Sequence, residues 1–356
     1  MILLLTDTIT PRLQYIAEFI FKGNFGVDFL ITTDKNDLQS TNAIRIDYTD
    51  NMFQDDVIKI RNTGLLFETT IYKHNIETFE INGLTAFFKR EQQPADFPFD
   101  IFSATFYLLT RYEEYLPHAT DKYGRYDHHQ SLATVNGFLK IPLVNKWLQF
   151  FSEFIKNRFP GFKINKPAFS FLPTFDVDIA FEWQHKSLLK NAAHLFKLLL
   201  RQDYENISEG FKILSKKKKD PFDNFDFLDR LNEQHELFPL YFFLVAERNT
   251  SFDKNINPFD KKMQALIKEY AKKYEAGIHP SWYSSQDDRL LKKEKFLLEE
   301  ITGEVIKKSR QHYLHFNLPD TYRNLADAGI QDEYSMGYGT VNGFRASYAG
   351  VFNWYD

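Results

Sequence analysis

Past residue 167 the chain alternates short apolar runs with amphipathic helical stretches, and this pattern limits the fold more than any other feature. Strand-like runs fall at 168–175, 240–245, 276–280, 311–316, 329–334 and 343–346. Between most of them lie helical stretches at 188–201, 224–237, 261–274, 293–308 and 321–328. Consecutive strands joined through helices run parallel with the helices packed outside, as a barrel or a doubly wound sheet. A closed βα barrel takes about seven or eight strands, so six predict a barrel that is incomplete or finished in another way.

The first part of the chain follows a different pattern. Short β-like runs occur at 2–5, 29–32, 43–48 and 64–69. One amphipathic helix is predicted over 102–116, where Ile101, Thr105, Leu108, Tyr112 and Tyr115 fall on one face. A second, over 145–158, carries Trp147, Leu148, Phe151 and Phe154 and is stopped by Pro160-Gly161. The segment 159–167 reads as a connection, which divides the 356 residues into an N-terminal α/β domain, 1–158, and a second domain, 168–356.

Composition removes several function classes. Lys and Arg number 44 against 48 Asp and Glu, too balanced for binding nucleic acid through phosphate neutralisation. Aromatic residues make up 17%, ample for packed cores. Cysteine is absent, so any metal must be held by histidines and carboxylates. The start, Met1-Ile-Leu-Leu-Leu-Thr-Asp7, reads as a buried strand, because it has no basic leader region and its apolar run is short. No run is long enough to span a membrane. The expected setting is the cytoplasm; the oligomeric state is left open. Lys216 to Lys219 beside Asp220-Pro221 reads as an exposed turn. Asp127-His128-His129 reads as a polar loop, because adjacent histidines rarely converge on one ion.

Three strand ends in the second half carry chemistry. Pro173-Thr-Phe-Asp176-Val-Asp178 runs an apolar strand into two carboxylates on one side, a costly pairing unless a cation or shared proton relieves it. A helix-capping Asp gives the same pattern. Gly277-Ile-His279-Pro-Ser281-Trp282-Tyr283 delivers a histidine at the C-terminal end of a predicted strand, where βα barrels gather their active sites. In Ser309-Arg310-Gln-His312-Tyr-Leu-His315, Arg310 and His312 share a face and His315 points away. An arginine there can orient a carboxylate.

These segments, with Asp332-Glu-Tyr-Ser-Met-Gly-Tyr338 and Gly343-Phe-Arg345-Ala346, resemble the ordered motifs of polysaccharide deacetylases of the NodB-homology type. The branch most similar to this chain, common in Bacteroidetes, carries an extra uncharacterised N-terminal domain. Tyr123-Gly-Arg125 and Gly137-Phe-Leu-Lys-Ile-Pro142 are similar to that domain.

The resemblance implies a distorted (β/α)7 barrel that hydrolyses N- or O-linked acetyl groups on a carbohydrate with a divalent metal, zinc by preference. It implies Asp176 as the base, Arg310 as its orienting partner and Asp178, shifted by one residue from the family pattern, as a metal ligand. The second motif normally supplies two histidines; His279 is kept and Tyr283 stands at the other place, a phenol with pKa ~10 and a poor ligand. His312 is expected to complete an Asp178, His279, His312 set, an inference from this sequence and not a family rule. Backbone N–H groups after Ser281 are expected to steady an oxyanion. Ser281, Trp282, Asp332 and Arg345 are expected to contact substrate. Related sequences continue into further strands and a late histidine acid, absent here, which suggests a truncated chain or a barrel finished differently. The alternative expectation is a degenerate barrel that binds a glycan or nucleotide-sugar in surface-polysaccharide assembly without hydrolysing it.

Overall fold

The computed structural model describes all residues except 40–42, 51–56, 91–94 and 166. Lys166, part of the predicted connection, therefore lies outside the described residues. The chain is mixed α/β with parallel sheets and divides into two compact units, Met1–Phe169 with Met336–Asp356, and Ser170–Ser335.

In the first unit, β1 (Ile2–Leu5) is fully buried and central in a parallel sheet ordered β2-β1-β3-β4, with β2 at Phe29–Thr32, β3 at Ile44–Asp47 and β4 at Ile58–Lys59. An unbroken apolar run suits a strand covered on both faces. Helix α1 (Pro11–Ala17) opens with Thr10 capping the N–H of Leu13 and proline in its first turn. A hairpin, β5 (Thr78–Ile81) and β6 (Leu84–Phe87), follows. The run 64–69 forms a single 3-10 turn, Leu65–Phe67, and no strand.

Helix α2 (Ile101–Leu109) is shorter than the sequence predicts, because Arg111 takes a left-handed backbone (φ 56°) before a 3-10 turn at Tyr112–Tyr115. That kink sets Arg111 against Glu113 and Glu114, each at 2.7 Å. Helix α3 (Leu132–Val135) is a single turn, and α4 (Leu143–Arg158) places Trp147 and Phe151 in a core with Phe97, Phe99 and Phe102.

The C-terminal segment corrects the predicted division. Residues 336–356 belong to the first unit, not to a second domain reaching 356. Arg345 donates to both oxygens of Glu114, at 2.8 and 2.6 Å, and all of this is buried. The run 343–346 is consequently no strand; Phe344 N–H bonds the Leu139 carbonyl, and Ser347 accepts from Val144 N–H. A Cβ on Gly343 would lie 2.9 Å from the Leu139 carbonyl oxygen, so only glycine permits this approach.

The second unit holds five parallel strands in sequential order, β7 (Thr174–Val177), β8 (Leu240–Phe243), β9 (Glu275–Ile278), β10 (Lys308–Ser309) and β11 (Asp332–Glu333). Crossovers are made by α5 (Leu188–Leu200), α6 (Tyr204–Leu214), α7 (Phe225–Gln234), α8 (Lys261–Lys273), α9 (Asp288–Thr302) and α10 (Asp320–Asp327). Five strands stand where six were predicted. The run 311–316 is a 3-10 turn at His312–Leu314 with Tyr313 at φ 60°, and pairing begins upstream at Lys308.

The sheet is strongly curved. Three inter-strand spacings separate β7 from β10, about 14 Å if flat. Yet Arg310, just past β10, donates to Thr174 Oγ1 at 2.8 Å and Asp176 Oδ1 at 3.0 Å. Phe242 of β8 lies beneath that guanidinium, 5.0 Å from its ring centre, and fills the concave face with Tyr334. Gly277 makes the room, since a Cβ there would meet the Phe242 ring at 2.5 Å. Among the described residues β7 and β11 do not pair with each other, so the sheet is open.

Candidate metal centre

Strand ends deliver the central residues. β7 stops at Val177, and Asp178 follows directly. The ladder then runs one residue past β9, with His279 N–H bonding the Phe243 carbonyl, and past β10, with Arg310 N–H bonding the Ile278 carbonyl. These extensions bring Asp178, His279 and His312 together, their candidate ligand atoms within 4.8 Å of one another. Asp178 Oδ1 lies 3.1 Å from His279 Nε2, and Oδ2 lies 3.6 Å from His312 Nε2.

Both imidazoles are fixed from behind. His279 Nδ1 lies 2.5 Å from the Arg310 carbonyl, which can only accept, so Nδ1 carries the proton and Nε2 presents a lone pair. His312 Nδ1 lies 3.0 Å from Asp253 Oδ1. Asp253 is buried and also accepts the Trp282 N–H and the Thr250 hydroxyl. A carboxylate or carbonyl behind each ring is the usual support of metal-binding histidines.

The fit to a cation is visible in the acceptors. Asp178 Oδ1 is shielded from solvent and accepts no hydrogen bond, although His279 Nε2 is adjacent. Two lone pairs facing each other at 3.1 Å are stable only with positive charge between them. Ligands of a tetrahedral ion with bonds of about 2.0–2.1 Å lie roughly 3.3 Å apart, close to both spacings found. The buried Asp/His/His group could thus bind a metal ion. Without an ion the imidazoles supply that positive charge themselves: burial works against charge on His312, but the nearby Asp178 and Asp253 carboxylates prevail and push its pKa up to about 9. Burial likewise opposes ionisation of Asp178, and the two histidines hold it well below the usual carboxylate range.

Asp176 lies beside this group on β7, with Oδ1 held by Arg310. Arg310 Nε also donates to the Tyr334 carbonyl, so the guanidinium is anchored on three sides. A cavity of about 300 Å³ opens next to Asp176 and Arg310, walled by Phe225, Leu228 and Tyr241.

Other expectations need correction. Tyr283, read from the sequence as a poor ligand, is 52% exposed. The N–H of Ser281 donates to Glu294 and that of Trp282 to Asp253, so neither serves an oxyanion. Trp282 is stacked between Phe252 and His315, both with ring centres at 4.0 Å, which leaves its edge and no open face for a sugar. His315 points away as predicted, with Nδ1 on Ser285 Oγ. Asp332 begins β11 and pairs with Lys308, which begins β10, so it sits at the N-terminal ends of the strands, opposite the site. Arg345 belongs to the first unit, buried against Glu114. Asp127, His128 and His129 also cluster, as a polar turn in which Asp127 accepts the His129 N–H and lies 2.7 Å from its ring Nδ1.

Sequence reading missed Asp253 and Thr174. Thr250-Ser-Phe-Asp253, a hydroxyl-capped turn after an apolar strand, was the available signal.

Comparison with known proteins leaves the functional reading to this geometry. A family described as of unknown function (DUF7033) matches residues 2–160, somewhat under half of the chain. No curated protein matches. Among solved structures, a polysaccharide deacetylase structure from Mycobacterium smegmatis is similar at 14% identity and a TM-score of 0.29, covering 47% of this chain and 50% of that one. The chain thus spans about half the length of that protein.

Proposed function

We propose that the second unit is a metal-dependent hydrolase that removes acetyl groups, N- or O-linked, from a carbohydrate. The observation that carries this reading is the convergence of Asp178, His279 and His312 beside an arginine-held carboxylate, Asp176. The Asp178 carboxylate and the two imidazoles would hold the ion, with zinc suited to this oxygen and nitrogen set. When bound, a divalent ion supplies an acidified water and polarises the acetyl carbonyl.

The chain's own groups do the rest. Arg310 occupies Asp176 Oδ1, so Oδ2 is the oxygen left to take a proton from the attacking water. Positioned proton transfer of this kind is worth about 10² to 10⁴ in rate. The same carboxyl then returns its proton to the leaving nitrogen or oxygen as the acyl bond breaks. Asp253 and the Arg310 carbonyl keep the two imidazoles in the tautomer that faces the ion.

Metal content after purification without chelator, paired with acetate release from chitooligosaccharide and acetylated xylan, tests the reading. Asp176→Asn is expected to lose at least about 10²-fold in rate with metal retained, and His279→Ala to lose the metal. Full activity of Asp176→Asn would refute the base assignment. Metal-free protein with no acetate release would leave a non-hydrolysing glycan or nucleotide-sugar binder.

A further inference from the structure

Helix α5 has two apolar faces, and only one of them is used. Its inner face, Leu195 and Leu198, packs with Trp183 and with Ile207 and Ile213 of α6. Gly210 of α6 makes room for Trp183, which precedes α5, since a Cβ there would collide with the indole ring at 2.6 Å. The face next to it on the helical wheel is apolar as well. Leu188 (89%), Leu189 (83%), Phe196 (61%), Leu199 (51%) and Leu200 (69%) stand exposed. With the two alanines between them they form a stripe about 140° wide at about 100° per residue. Nothing in water rewards such a stripe, and contiguous exposed apolar surface marks an interaction site.

The charges around it say what covers it. On the helical wheel Lys190, Lys197 and Arg201 lie along one border of the stripe. From Lys186 to Lys219 there are nine Lys and Arg against three Asp and Glu, in a chain whose formal net charge is −4. Glu209 is committed to Lys212 and Lys218, while Lys197, Arg201, Lys216 and Lys217 form no ion pair among the described residues. The Lys216 to Lys219 run expected to be an ordinary exposed turn is indeed exposed; Lys218 pairs with Glu209 and Lys219 with Asp223 and Asp226, so Lys216 and Lys217 are what it adds to this local excess. A protein partner burying the stripe would be selected by shape. A basic, amphipathic, surface-lying helix is instead matched by apolar depth beneath negative charge, which is the interface of an anionic bilayer. At 13 residues α5 is about 20 Å long, and no helix among the described residues is long and apolar enough to cross a membrane, so the contact lies in the plane of the surface.

We propose that the α5–α6 hairpin is a peripheral docking surface for anionic lipid, with the outward stripe of α5 inserted at the headgroup boundary and the surrounding lysines on the phosphates. The test is flotation of the full chain with vesicles of mixed phosphatidylcholine and phosphatidylglycerol, against vesicles of phosphatidylcholine alone, at physiological ionic strength. The protein is expected to float with the anionic vesicles and to be released by high salt. Leu189→Ser with Phe196→Ser is expected to lower the partition coefficient about tenfold or more. Lys197→Gln with Arg201→Gln is expected to lower it by a similar factor on anionic vesicles only. All four side chains are solvent-facing, so the thermal midpoint should not move; that control separates lost docking from lost fold. Wild-type protein that stays unbound, or a serine variant that floats as well as the wild type, overturns the proposal. Concentration-dependent self-association abolished by the serine pair, without vesicle binding, overturns it too and assigns the stripe to a second copy of the chain.

Discussion

Asp253 sets the orientation of His312, and its worth can be measured apart from catalysis. Asn in its place can offer an amide N–H to Nδ1, which leaves the ring proton on Nε2, the nitrogen that faces the site. Asp253→Asn is expected to weaken divalent-metal affinity about 10 to 100-fold, read by competition against a chromogenic chelator. Unchanged affinity would show that Asp253 only caps the Trp282 turn. At this scale the sequence was partly legible. Asp176, Asp178, His279, Arg310 and His312 could be named because carboxylates and imidazoles at the ends of apolar runs are conspicuous. Trp282, Ser281, Asp332 and Arg345 looked equally available, but each is engaged by a neighbour that only folding supplies: Phe252, Glu294, Lys308 and Glu114.

At the scale of elements, α9 and the turn after β9 are tied through one buried carboxyl. Glu294 accepts the Ser281 N–H at 2.9 Å, and burial raises its pKa from 4.5 to about 7. The unfolded chain releases this proton near pH 4.5, while the folded chain holds it to about pH 7. Folding therefore loses stability as pH rises through that window, and the loss is complete above it. Glu294→Gln keeps an acceptor for Ser281 and removes the ionisation. It is expected to stabilise the protein by about 3 kcal/mol at pH 8 and to change little at pH 4, compared by urea unfolding. Equal effects at both values would refute the linkage. The helices of the second unit were legible because amphipathic period and caps are local signals. Strand limits were not, because pairing partners decide where a strand begins. The 311–316 run alternates well enough, yet Tyr313 and Leu314 both turn left-handed (φ 60° and 52°) and the strand lies upstream. Helix α6 was not among the predicted helices; within it Gly210 accommodates Trp183.

For the whole molecule, the decisive feature is the return of residues 336–356 to the first unit. Glu114 is buried between Arg345 and Arg111; burial pushes its pKa up, and the two guanidinium groups bring it down to about 2. Arg345→Ala leaves that carboxylate short of one partner and unlatches the returning segment. It is expected to cost about 3 kcal/mol in chemical denaturation of the full chain. A cost below about 0.5 kcal/mol would mean the segment is held by its aromatic contacts alone. By itself the sequence determined that the chain is mixed α/β with parallel strands, that any metal must sit on oxygen and nitrogen, and which strand ends carry acids and imidazoles. Periodicity and residue chemistry are local, so they are readable without coordinates. Tertiary structure decided that the second sheet has five strands and curves enough for Arg310 to reach Asp176. It decided as well that Asp253 stands behind His312 and that Arg345 latches the first unit. Those outcomes depend on which distant side chains meet once apolar surface is buried, and sequence spacing does not encode that.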